Sequence, residues 1–428
     1  MDKKNILIFP SGWENALEIY GAVKYNVNVE VYGASGKSDY AEYAYDREHY
    51  IEGDFYIYRP DFLNVLNDTL ERYQIDVIIP THDDVCLFLA EHKSEIKAKI
   101  LVADVRTAEV CRHKRMTYQM FSDLAACPKV YWERKDVSNQ DFPLFLKPDV
   151  GAGAQGVRLV EKELDLTDDM FSEQYVLCEN LPGAEFTIDC FTDRKRRLTF
   201  AGARSRDRIV MGMSYRSTTV SLTEDLWKLA ETINERLSFF GCWYFQVKQD
   251  CDGNYKLLEV SCRASGGMSL YRHMGVNFHM MGIFELYEVD TSYVLLNSPL
   301  QMERRLFTKY HSNITYDTVY IDFDDTIIVR DKVCDVVIRF LYQCVNQGKY
   351  IVLLTRHDGN LEDILKKHRL YNQLFDEIIH LTFDEDKEIY IKPDRAIFID
   401  NSYAERKKIN EKLQIPVFDV DMVDMLLE

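Results

Sequence analysis

Residues 319–326 read Val-Tyr-Ile-Asp-Phe-Asp-Asp-Thr, an apolar run that ends in two carboxylates, Asp322 and Asp324, one residue apart. Carboxylates at the end of a buried strand cost free energy unless a cation or hydrogen bonds compensate their charge. Carboxylate oxygens are also the ligands that Mg²⁺ prefers, together with the phosphate groups of substrates. The stretch therefore predicts a buried strand that leads into a cation and phosphate site.

The chain from Tyr316 onwards alternates between short apolar runs and segments with helical periodicity. This alternation predicts a doubly wound α/β domain over residues 316–428, with ligands at the carboxyl ends of its strands. Residues 291–315 have no strong pattern and are predicted to form a linker. The predicted strands of the domain are 318–321, 350–354, 378–381 and 396–399, and its first two helices are about 335–346 and 360–367.

Polar residues follow each of these strands. Beyond the acidic motif of residues 322–326, Thr355 follows the second strand, Lys387 the third and Asp400 the fourth. These motifs, in this order, resemble the full motif set of the HAD-like (haloacid dehalogenase superfamily) phosphohydrolases. The resemblance implies a Rossmann-like domain that hydrolyses phosphate monoesters.

The resemblance assigns roles to the three aspartates. It implies that Asp322 attacks phosphorus to form an aspartyl phosphate and that Asp324 is the general acid and then the general base. A Mg²⁺ ion would be held by Asp322, the Asp324 backbone carbonyl and Asp400. That ion would mask the repulsion between the carboxylates and the phosphate.

The remaining motifs would bind the phosphoryl oxygens. Thr355 would donate a hydrogen bond to them and a lysine would neutralise them, with Lys387 as the first choice and Lys392 as the alternative. Asn401 stands where a second acid is common, which predicts weaker metal binding. Only 28 residues separate Thr326 from Thr355, too few for a large cap domain. An uncapped site favours bulky phosphorylated substrates, unless another domain covers it.

The first 110 residues predict a separate α/β domain with a parallel sheet. The turns 10–12 and 80–84 follow two of its strands, so they either line a cleft at the sheet edge or are ordinary polar loops. The predicted elements are strands 5–9, 27–32 and 76–79 and a helix at 13–25.

Residues 111–290 have longer strands with turn signals between them, a pattern that predicts an α+β domain. The predicted strands are 142–147, 156–160, 174–179, 185–191, 244–250 and 255–260, with a helix at about 223–239. The whole chain is thus expected to combine α/β and α+β domains.

A glycine-rich segment follows the first of these strands, with Lys147 before Gly151, Gly153 and Gly156. The lysine offers a cation to phosphate oxygens, and the glycines let backbone amides approach those oxygens without side-chain obstruction. The lysine precedes the glycines, so the segment is neither a P-loop nor a dinucleotide-binding motif.

Two later segments carry further acids. Glu179 and Glu185 flank a Pro-Gly turn, and the strand near residue 260 carries Glu259, Ser261 and Arg263 at alternate positions. Alternation along a strand sends these three side chains to one face. Gln246, on the preceding strand, is a candidate to join them.

Over residues 5–286, the three motifs resemble an ATP-grasp carboxylate-amine ligase of the carbamoyl-phosphate-synthase-like branch. The resemblance implies a pre-grasp α/β domain over residues 1–110 and a nucleotide-binding domain over 111–290. It implies that ATP is held by phosphate-binding lysines, the glycine loop, an adenine hinge and a ribose-binding acid. These residues are Lys114, Lys147, Gly151, Gly153, Gly156, Glu179, Leu181 and Glu185.

The same resemblance places Mg²⁺ on Gln246, Glu259 and Ser261, and it places Arg263 against the transferred phosphoryl group. The chain departs from the family's usual acid-x-Asn-Pro-Arg pattern, because Ser261 and Cys262 replace Asn and Pro. A serine hydroxyl is a weaker magnesium ligand than an amide carbonyl, so one metal position would be loose or lost. An ATP-binding domain without turnover is the alternative to an active ligase.

The expected reaction passes the γ-phosphoryl group of ATP to a carboxylate and then lets an amine attack the acyl phosphate. Arg204 and Arg206 either hold the acceptor carboxylate or a substrate phosphate, or belong to a solvated basic loop. Ser265 and Gly266 are further candidate substrate contacts. The fusion predicts a bifunctional enzyme, and a phosphatase with a regulatory, non-ligating nucleotide domain is the alternative.

Composition limits the partners. The net charge of −18 disfavours nucleic acids and anionic membranes as partners. The ligase resemblance implies saccharide or small-molecule carboxylates and amines as substrates, and an oligomer stays open. Ten scattered cysteines predict reduced core thiols. The chain has neither a signal-peptide core nor an apolar run of about 18 residues, which predicts a cytoplasmic protein.

Overall fold

The computed structural model describes residues 2–36, 40–151, 153, 155–305, 308–310 and 312–428. The chain divides into two compact units, Met1–Arg305 and Leu306–Glu428. All ten cysteines are free thiols, and six of them are buried. Within the described residues, no helix is both long enough and apolar enough to cross a membrane.

The first unit begins with a five-stranded parallel sheet in the order β3-β2-β1-β4-β5. Its central strands are nearly continuous runs of apolar residues, as expected when helices cover both faces. The elements are β1 (Lys4–Phe9), α1 (Glu14–Val23), β2 (Val29–Ser35), β3 (Tyr50–Glu52), α2 (Phe62–Arg72), β4 (Val77–Pro80), α3 (Asp83–Glu91), β5 (Lys99–Ile100) and α4 (Val105–Arg112).

A four-stranded antiparallel sheet follows, in the order β6-β9-β7-β8. The predicted strand 142–147 begins at Leu144 and runs through Lys147 to Pro148. The elements here are α5 (Lys114–Met120), β6 (Val130–Tyr131), β7 (Leu144–Pro148), β8 (Arg158–Val160) and β9 (Tyr175–Glu179).

The largest sheet is antiparallel and has seven strands, in the order β12-β13-β11-β10-β14-β15 with β16 on the outer side of β13. Three of its strands, β11 to β13, were not predicted, and β16 lies inside the expected linker. The elements are β10 (Glu185–Thr192), β11 (Leu198–Ser205), β12 (Arg208–Val210), β13 (Met213–Val220), α6 (Glu224–Arg236), β14 (Gly241–Gln249), β15 (Tyr255–Ser261), α7 (Ser269–His273), α8 (Phe278–Leu286) and β16 (Gln301–Glu303).

One continuous apolar core joins the parallel sheet to the seven-stranded sheet. Phe62 of α2, Leu89 of α3 and Trp243 of β14 all belong to it and are almost fully buried. This shared core explains why the parallel sheet and the seven-stranded sheet belong to the same unit, whereas the four-stranded sheet has a smaller apolar cluster of its own.

The second unit is a five-stranded parallel sheet in the order β21-β20-β17-β22-β23, with a small hairpin after β17. The acidic motif 322–326 directly follows the central strand, as predicted. The elements are β17 (Thr318–Ile321), β18 (Ile328–Val329), β19 (Lys332–Val333), α9 (Asp335–Asn346), β20 (Tyr350–Thr355), α10 (Leu361–Lys367), β21 (Glu377–His380), β22 (Ala396–Ile399), α11 (Tyr403–Leu413) and β23 (Val417–Phe418).

Candidate functional site

A row of polar side chains crosses one face of the seven-stranded sheet. The register pairs Arg204 of β11 with Thr187 of β10, Thr187 with Gln246 of β14, and Gln246 with Glu259 of β15. Residues that are directly opposite on neighbouring strands share a face, so the four side chains form one line. The Thr187 hydroxyl is fully buried and lacks a hydrogen-bond partner among the described residues. The row is therefore a polar surface of the sheet and not a part of its apolar core.

Lys147 and Lys114 lie next to this row. Lys147 is 6% exposed, and its Nζ contacts the Tyr118 hydroxyl and lies 3.4 Å from the Leu258 carbonyl oxygen. Burial lowers the pKa of Lys114, with the Glu259 charge opposing this shift and the Lys147 charge adding to it. In the part of the chain that the structure describes, neither lysine has a carboxylate oxygen within 4.0 Å. Two neighbouring ammonium groups without paired acids form a site that favours an anion.

The glycine-rich loop contacts Lys114. Lys114 Nζ donates to the Gly151 carbonyl oxygen at 3.1 Å. Gly153 and Gly156 have φ angles of +66° and +73°, which side chains rarely adopt. The loop thus brings a backbone carbonyl to the Lys114 ammonium group. Its positive φ angles favour glycine at positions 153 and 156.

The predicted adenine hinge borders a cavity of about 470 Å³, within the size range of small-molecule pockets. Tyr118, Trp132 and Glu179 line this cavity. The Glu179 carboxylate accepts a hydrogen bond from the Lys129 backbone N–H at 2.8 Å, which ties the hinge to β6. Leu181 is buried just beyond it.

Glu185, the predicted ribose ligand, is already paired. Its Oε1 lies 2.9 Å from Arg206 Nε, and Arg206 also donates to the Gly212 carbonyl oxygen at 2.6 Å. The Arg206 side chain is only 7% exposed. Arg206 therefore belongs to a folded hairpin and not to a solvated basic loop.

Arg263 is held by Asp83, the first residue of helix α3. Its Nε and Nη2 lie 3.0 and 2.9 Å from the two carboxylate oxygens of Asp83, and the Ser261 hydroxyl donates to Asp83 Oδ1 at 3.0 Å. Burial alone would raise the pKa of Asp83. The Arg263 guanidinium acts in the opposite direction, and the pKa of Asp83 lies below its ordinary value. Asp83 lies in the turn 80–84, so this turn takes part in the site, but its partner could not be recognised from the sequence.

The turn 10–12 is fixed at the same edge. Ser11 is fully buried, and its hydroxyl lies 3.1 Å from that of Ser35. Close by on α1, the Asn15 amide donates to the carbonyl oxygens of Thr81 and Ala264, at 2.7 and 3.1 Å. The turn 10–12 is therefore fixed to β2, and Asn15 connects the turn 80–84 to Ala264, the residue after Arg263.

Arg204 is buried in a pair with Asp189 rather than in a loop. Its Nε lies 2.7 Å from Asp189 Oδ2, and its Nη2 donates to the Ser265 hydroxyl at 3.0 Å. A Cβ at Gly267 would come within 2.3 Å of the guanidinium carbon, while one at Gly266 would meet the Arg304 side chain. Arg204 Nη1 has no partner among the described residues, so one donor is left for a ligand.

In the second unit, Lys387 lies between two buried carboxylates. Its Nζ is 2.6 Å from Asp322 Oδ1 and 2.7 Å from Asp400 Oδ2. Burial raises the pKa of Asp322 to about 6, with the Lys387 charge opposing and the Asp400 charge adding to the shift. Lys392, the alternative lysine, is exposed, and its backbone N–H donates to the Tyr320 hydroxyl. Lys387 is therefore the lysine that contacts the carboxylates of Asp322 and Asp400.

Thr355 lies at the same edge of the sheet and is 1% exposed. Its hydroxyl has no hydrogen-bond partner among the described residues. The Thr326 hydroxyl lies 3.4 Å from both Asp322 Oδ2 and Asn401 Oδ1. The Asn401 side chain thus faces the acidic loop, where it adds no charge. A buried hydroxyl without a partner costs free energy, and a hydrogen bond from the Thr355 hydroxyl to a phosphoryl oxygen would remove that cost.

His357 is a residue of this site that the motifs did not indicate. Its Nδ1 lies 3.0 and 2.9 Å from the two carboxylate oxygens of Asp324. The only sequence signal was its position two residues after Thr355, at the carboxyl end of a central strand.

The donor atoms of both sites suit a hard cation, although no group of three or more acidic, histidine or cysteine side chains in the described residues could hold a metal by itself. The carboxylates of Asp322 and Asp400 both lie within 2.7 Å of the single Lys387 ammonium group, so two acidic side chains meet one cationic side chain here. A divalent cation would fit here with a backbone carbonyl as third ligand. In the first unit, Glu259 and Gln246 are adjacent oxygen donors, whereas the Ser261 hydroxyl is engaged by Asp83.

Comparisons with known proteins identify the fold of the first unit. The family model described as ATP-grasp in the biosynthetic pathway with Ter operon matches residues 171–304, less than a third of the chain. No curated protein matches the sequence. The family model does not reach the second unit, so the assignment of that unit rests on its own geometry.

Solved structures agree on the fold. N5-carboxyaminoimidazole synthetase from Staphylococcus aureus, complexed with ADP, has a TM-score of 0.58 and 13% identity over 72% of this chain and 83% of that one. The biotin carboxylase domain of the Hydrogenobacter thermophilus 2-oxoglutarate carboxylase, with MgADP, ADP and bicarbonate, has a TM-score of 0.57 and 13% identity over 70% and 74%. Biotin carboxylase from Campylobacter jejuni has a TM-score of 0.55 and 16% identity over the same shares. The chain therefore contains a domain with the ATP-grasp fold.

Proposed function

We propose that the first unit is an ATP- and Mg²⁺-dependent ligase that joins a carboxylate to an amine through an acyl phosphate. The observation that carries this proposal is the pair of neighbouring lysines, Lys114 and Lys147, for which the described residues supply no carboxylate partner and of which Lys114 contacts the glycine loop. Triphosphate oxygens would supply the missing negative charge. Structures of the same fold that hold ADP support this choice of ligand.

Each group has a role in such a reaction. Lys114, Lys147 and the glycine loop would bind the phosphates, and the cavity beside Glu179 would receive the adenine. Glu259 and Gln246 would hold Mg²⁺, which screens the negative charge that develops during phosphoryl transfer. The acceptor carboxylate oxygen attacks the γ-phosphorus and ADP leaves. The amine then attacks the acyl carbon, and inorganic phosphate leaves.

Arg263 would act through a fixed position. Because Asp83 holds two of its nitrogens, the guanidinium cannot swing away when a negatively charged ligand arrives or leaves. A donor that is already oriented costs no reorganisation in the transition state. The single free nitrogen of Arg204 would orient the acceptor acid in the same manner.

ADP release tests the ligase. Purified protein with ATP and Mg²⁺ is offered a panel of carboxylates and amines, and Lys147→Met should abolish ADP release that depends on both partners. Lys162→Met, on an exposed residue of the same domain, is the matched control and should keep full activity. Acid- and amine-dependent ADP release that survives Lys147→Met would contradict the proposed phosphate site.

We further propose that the second unit is a phosphohydrolase of the HAD type. The supporting observation is the buried group of Asp322, Lys387 and Asp400 beside the unpaired Thr355 hydroxyl. Lys387 and Thr355 would bind the phosphoryl oxygens, while Asp322 attacks phosphorus. Asp322 and Asp400 would hold Mg²⁺, which neutralises charge between the carboxylates and the phosphate. The fold of this unit leaves only the hairpin β18–β19 between the motif and α9, in agreement with an uncapped site.

Hydrolysis of p-nitrophenyl phosphate tests this assignment. Asp322→Asn should abolish the activity, because an amide is a poor nucleophile, whereas Asp394→Asn, an exposed loop residue, should not change it. Retained hydrolysis in Asp322→Asn would exclude this nucleophile. Lys147→Met should leave hydrolysis intact, which separates the two activities.

The two activities would serve one substrate. A carboxylate, such as a sugar acid, would be amidated with a phosphorylated amine, and the second unit would remove the phosphate. The alternative is a phosphatase whose nucleotide domain regulates without ligation. It predicts ATP binding with no ADP release from any acid and amine pair.

A further inference from the structure

We propose that His357 is a positioning residue of the second unit, which orients the Asp324 carboxyl group for proton transfer to the leaving group. The inference rests on the proposed phosphohydrolase function. It concerns a side chain outside the acidic, threonine and lysine motifs. The contact between the His357 ring and the Asp324 carboxylate is the observation that carries it.

The contact has a defined donor. Both carboxylate oxygens lie at 2.9–3.0 Å from the same ring nitrogen, Nδ1. Carboxylate oxygens accept hydrogen bonds, so Nδ1 would be the donor in this contact. The Asp324 side chain is 52% exposed, and His357 is the described side chain that hydrogen-bonds its carboxylate. Without this bond, an exposed aspartate would rotate freely about its side-chain bonds.

His357 is itself held in place from two directions. Its ring packs edge-on against Phe323, with centroids 5.5 Å apart and an interplanar angle of 81°. Phe323 is fully buried, so it provides a rigid wall. The His357 carbonyl oxygen accepts a hydrogen bond from His380 Nε2 at 2.8 Å, which fixes the backbone. The imidazole side chain is 14% exposed and is therefore much less mobile than the carboxylate that it holds.

The reaction shows where this orientation is needed. An Asp322 oxygen bonds to phosphorus while the bond to the leaving oxygen breaks, and that oxygen takes the bond electrons and a proton from Asp324. Water then attacks the aspartyl phosphate and gives a proton to Asp324, the Asp322–phosphorus bond breaks, and phosphate leaves. In the first step, His357 would bind one Asp324 oxygen and leave the other, protonated oxygen directed at the leaving group. A misdirected acid loses much of its contribution to the rate.

The leaving group provides a selective test. p-Nitrophenolate leaves as a stable anion and needs little protonation, whereas an alkoxide from glycerol 2-phosphate requires a proton as the bond breaks. The value of kcat/KM reports the first chemical step for both substrates. His357→Ala should lower kcat/KM for glycerol 2-phosphate by about 10- to 100-fold, a part of the ~10²–10⁴ typical of general acids. It should change kcat/KM for p-nitrophenyl phosphate less than about threefold.

Two conservative variants separate orientation from packing. The amide nitrogen of His357→Asn can occupy the place of Nδ1, whereas that of His357→Gln reaches the place of Nε2. We expect His357→Asn to restore most of the activity toward glycerol 2-phosphate and His357→Gln to restore little. A thermal melt of each variant identifies any loss of folding, which would reduce both activities equally.

The outcomes separate this inference from the function on which it rests. Hydrolysis that depends on Asp322 but falls equally for both substrates in His357→Ala, or does not fall, would overturn the positioning role alone. Equal rescue by Asn and Gln would also overturn it. Absence of hydrolysis that depends on Asp322 in the wild-type protein would refute the phosphohydrolase and the inference together.

Discussion

The pair between Asp83 and Arg263 should contribute strongly to the stability of the first unit. Asp83→Asn removes the charge but keeps the shape, and it leaves the Arg263 guanidinium without its partner. Breaking a buried ion pair in this way costs about 3–5 kcal/mol. Each side chain retains 16% exposure, so we expect the lower end, about 3 kcal/mol of unfolding free energy. Arg263→Met should cost a similar amount because it isolates the Asp83 carboxylate.

Tryptophan fluorescence can measure this effect in the intact chain. All four tryptophans, Trp13, Trp132, Trp227 and Trp243, lie in the first unit, so urea unfolding followed by fluorescence reports on that unit alone. The double variant Asp83→Asn with Arg263→Met removes both charges together. Its loss should be smaller than the sum of the single losses by about 2 kcal/mol, as for contacting residues in a double-mutant cycle.

Additive losses, within about 0.5 kcal/mol, would refute the reasoning, because they would mean that the two side chains do not interact. A stability loss below about 1 kcal/mol in Asp83→Asn would equally show that solvent compensates the arginine. Arg59→Met offers a control. Arg59 is paired with Asp54 and Asp61 at the surface, where solvent screens the charges, so Arg59→Met should leave the urea unfolding midpoint nearly unchanged.

Two further predictions concern acidity and backbone packing. Burial raises the pKa of Asp322 to about 6 in the metal-free protein. In EDTA, the contribution of Asp322 to the stability of the second unit should therefore be fully present below about pH 4 and be lost as the pH rises through about 6. Urea unfolding of the wild type and of Asp322→Asn over this pH range measures the contribution, which should be absent in the variant. Gly183→Ala should destabilise the first unit by about 1–3 kcal/mol, since the added Cβ would lie 2.6 Å from Gln249 Cβ and 2.9 Å from the Gln249 carbonyl oxygen. Gly151→Ala, whose nearest neighbour is Pro148 Cβ at 3.7 Å, should leave urea unfolding unchanged.

Local sequence patterns predicted the regular elements of the second unit well. The helix Asp335–Asn346 and the strand Ala396–Ile399 have the predicted bounds, because apolar periodicity is strong where one face is fully buried. In the first unit, strands β11 to β13 were missed. Their polar residues, such as Arg204, suggested a loop, and only the long-range pairing with Asp189 explains how a charged residue can lie inside a sheet. The family motifs could not supply that pairing.

In the candidate sites too, residues could be predicted from their position after a strand, whereas contacts between distant segments could not. Lys387 was placed by its order after a strand, and it lies between Asp322 and Asp400. The partner of Arg263 could not be predicted, since Asp83 is 180 positions away in the sequence. Contacts between segments so far apart depend on how the two sheets pack against each other. The sequence pattern within either segment does not predict them. The domain bounds 1–110, 111–290, 291–315 and 316–428 remain a proposal.

Strand β16 decides how the chain can be divided for separate study of its two activities. It pairs with Arg216 to Thr218 on the outer side of β13. A fragment that stops at residue 290 would lack this strand and would present unpaired backbone groups along β13, an open edge at which chains associate. A fragment that extends to residue 305 keeps the edge covered. Insolubility of the shorter fragment would thus reflect the missing strand and would say nothing about whether the nucleotide-binding domain folds independently.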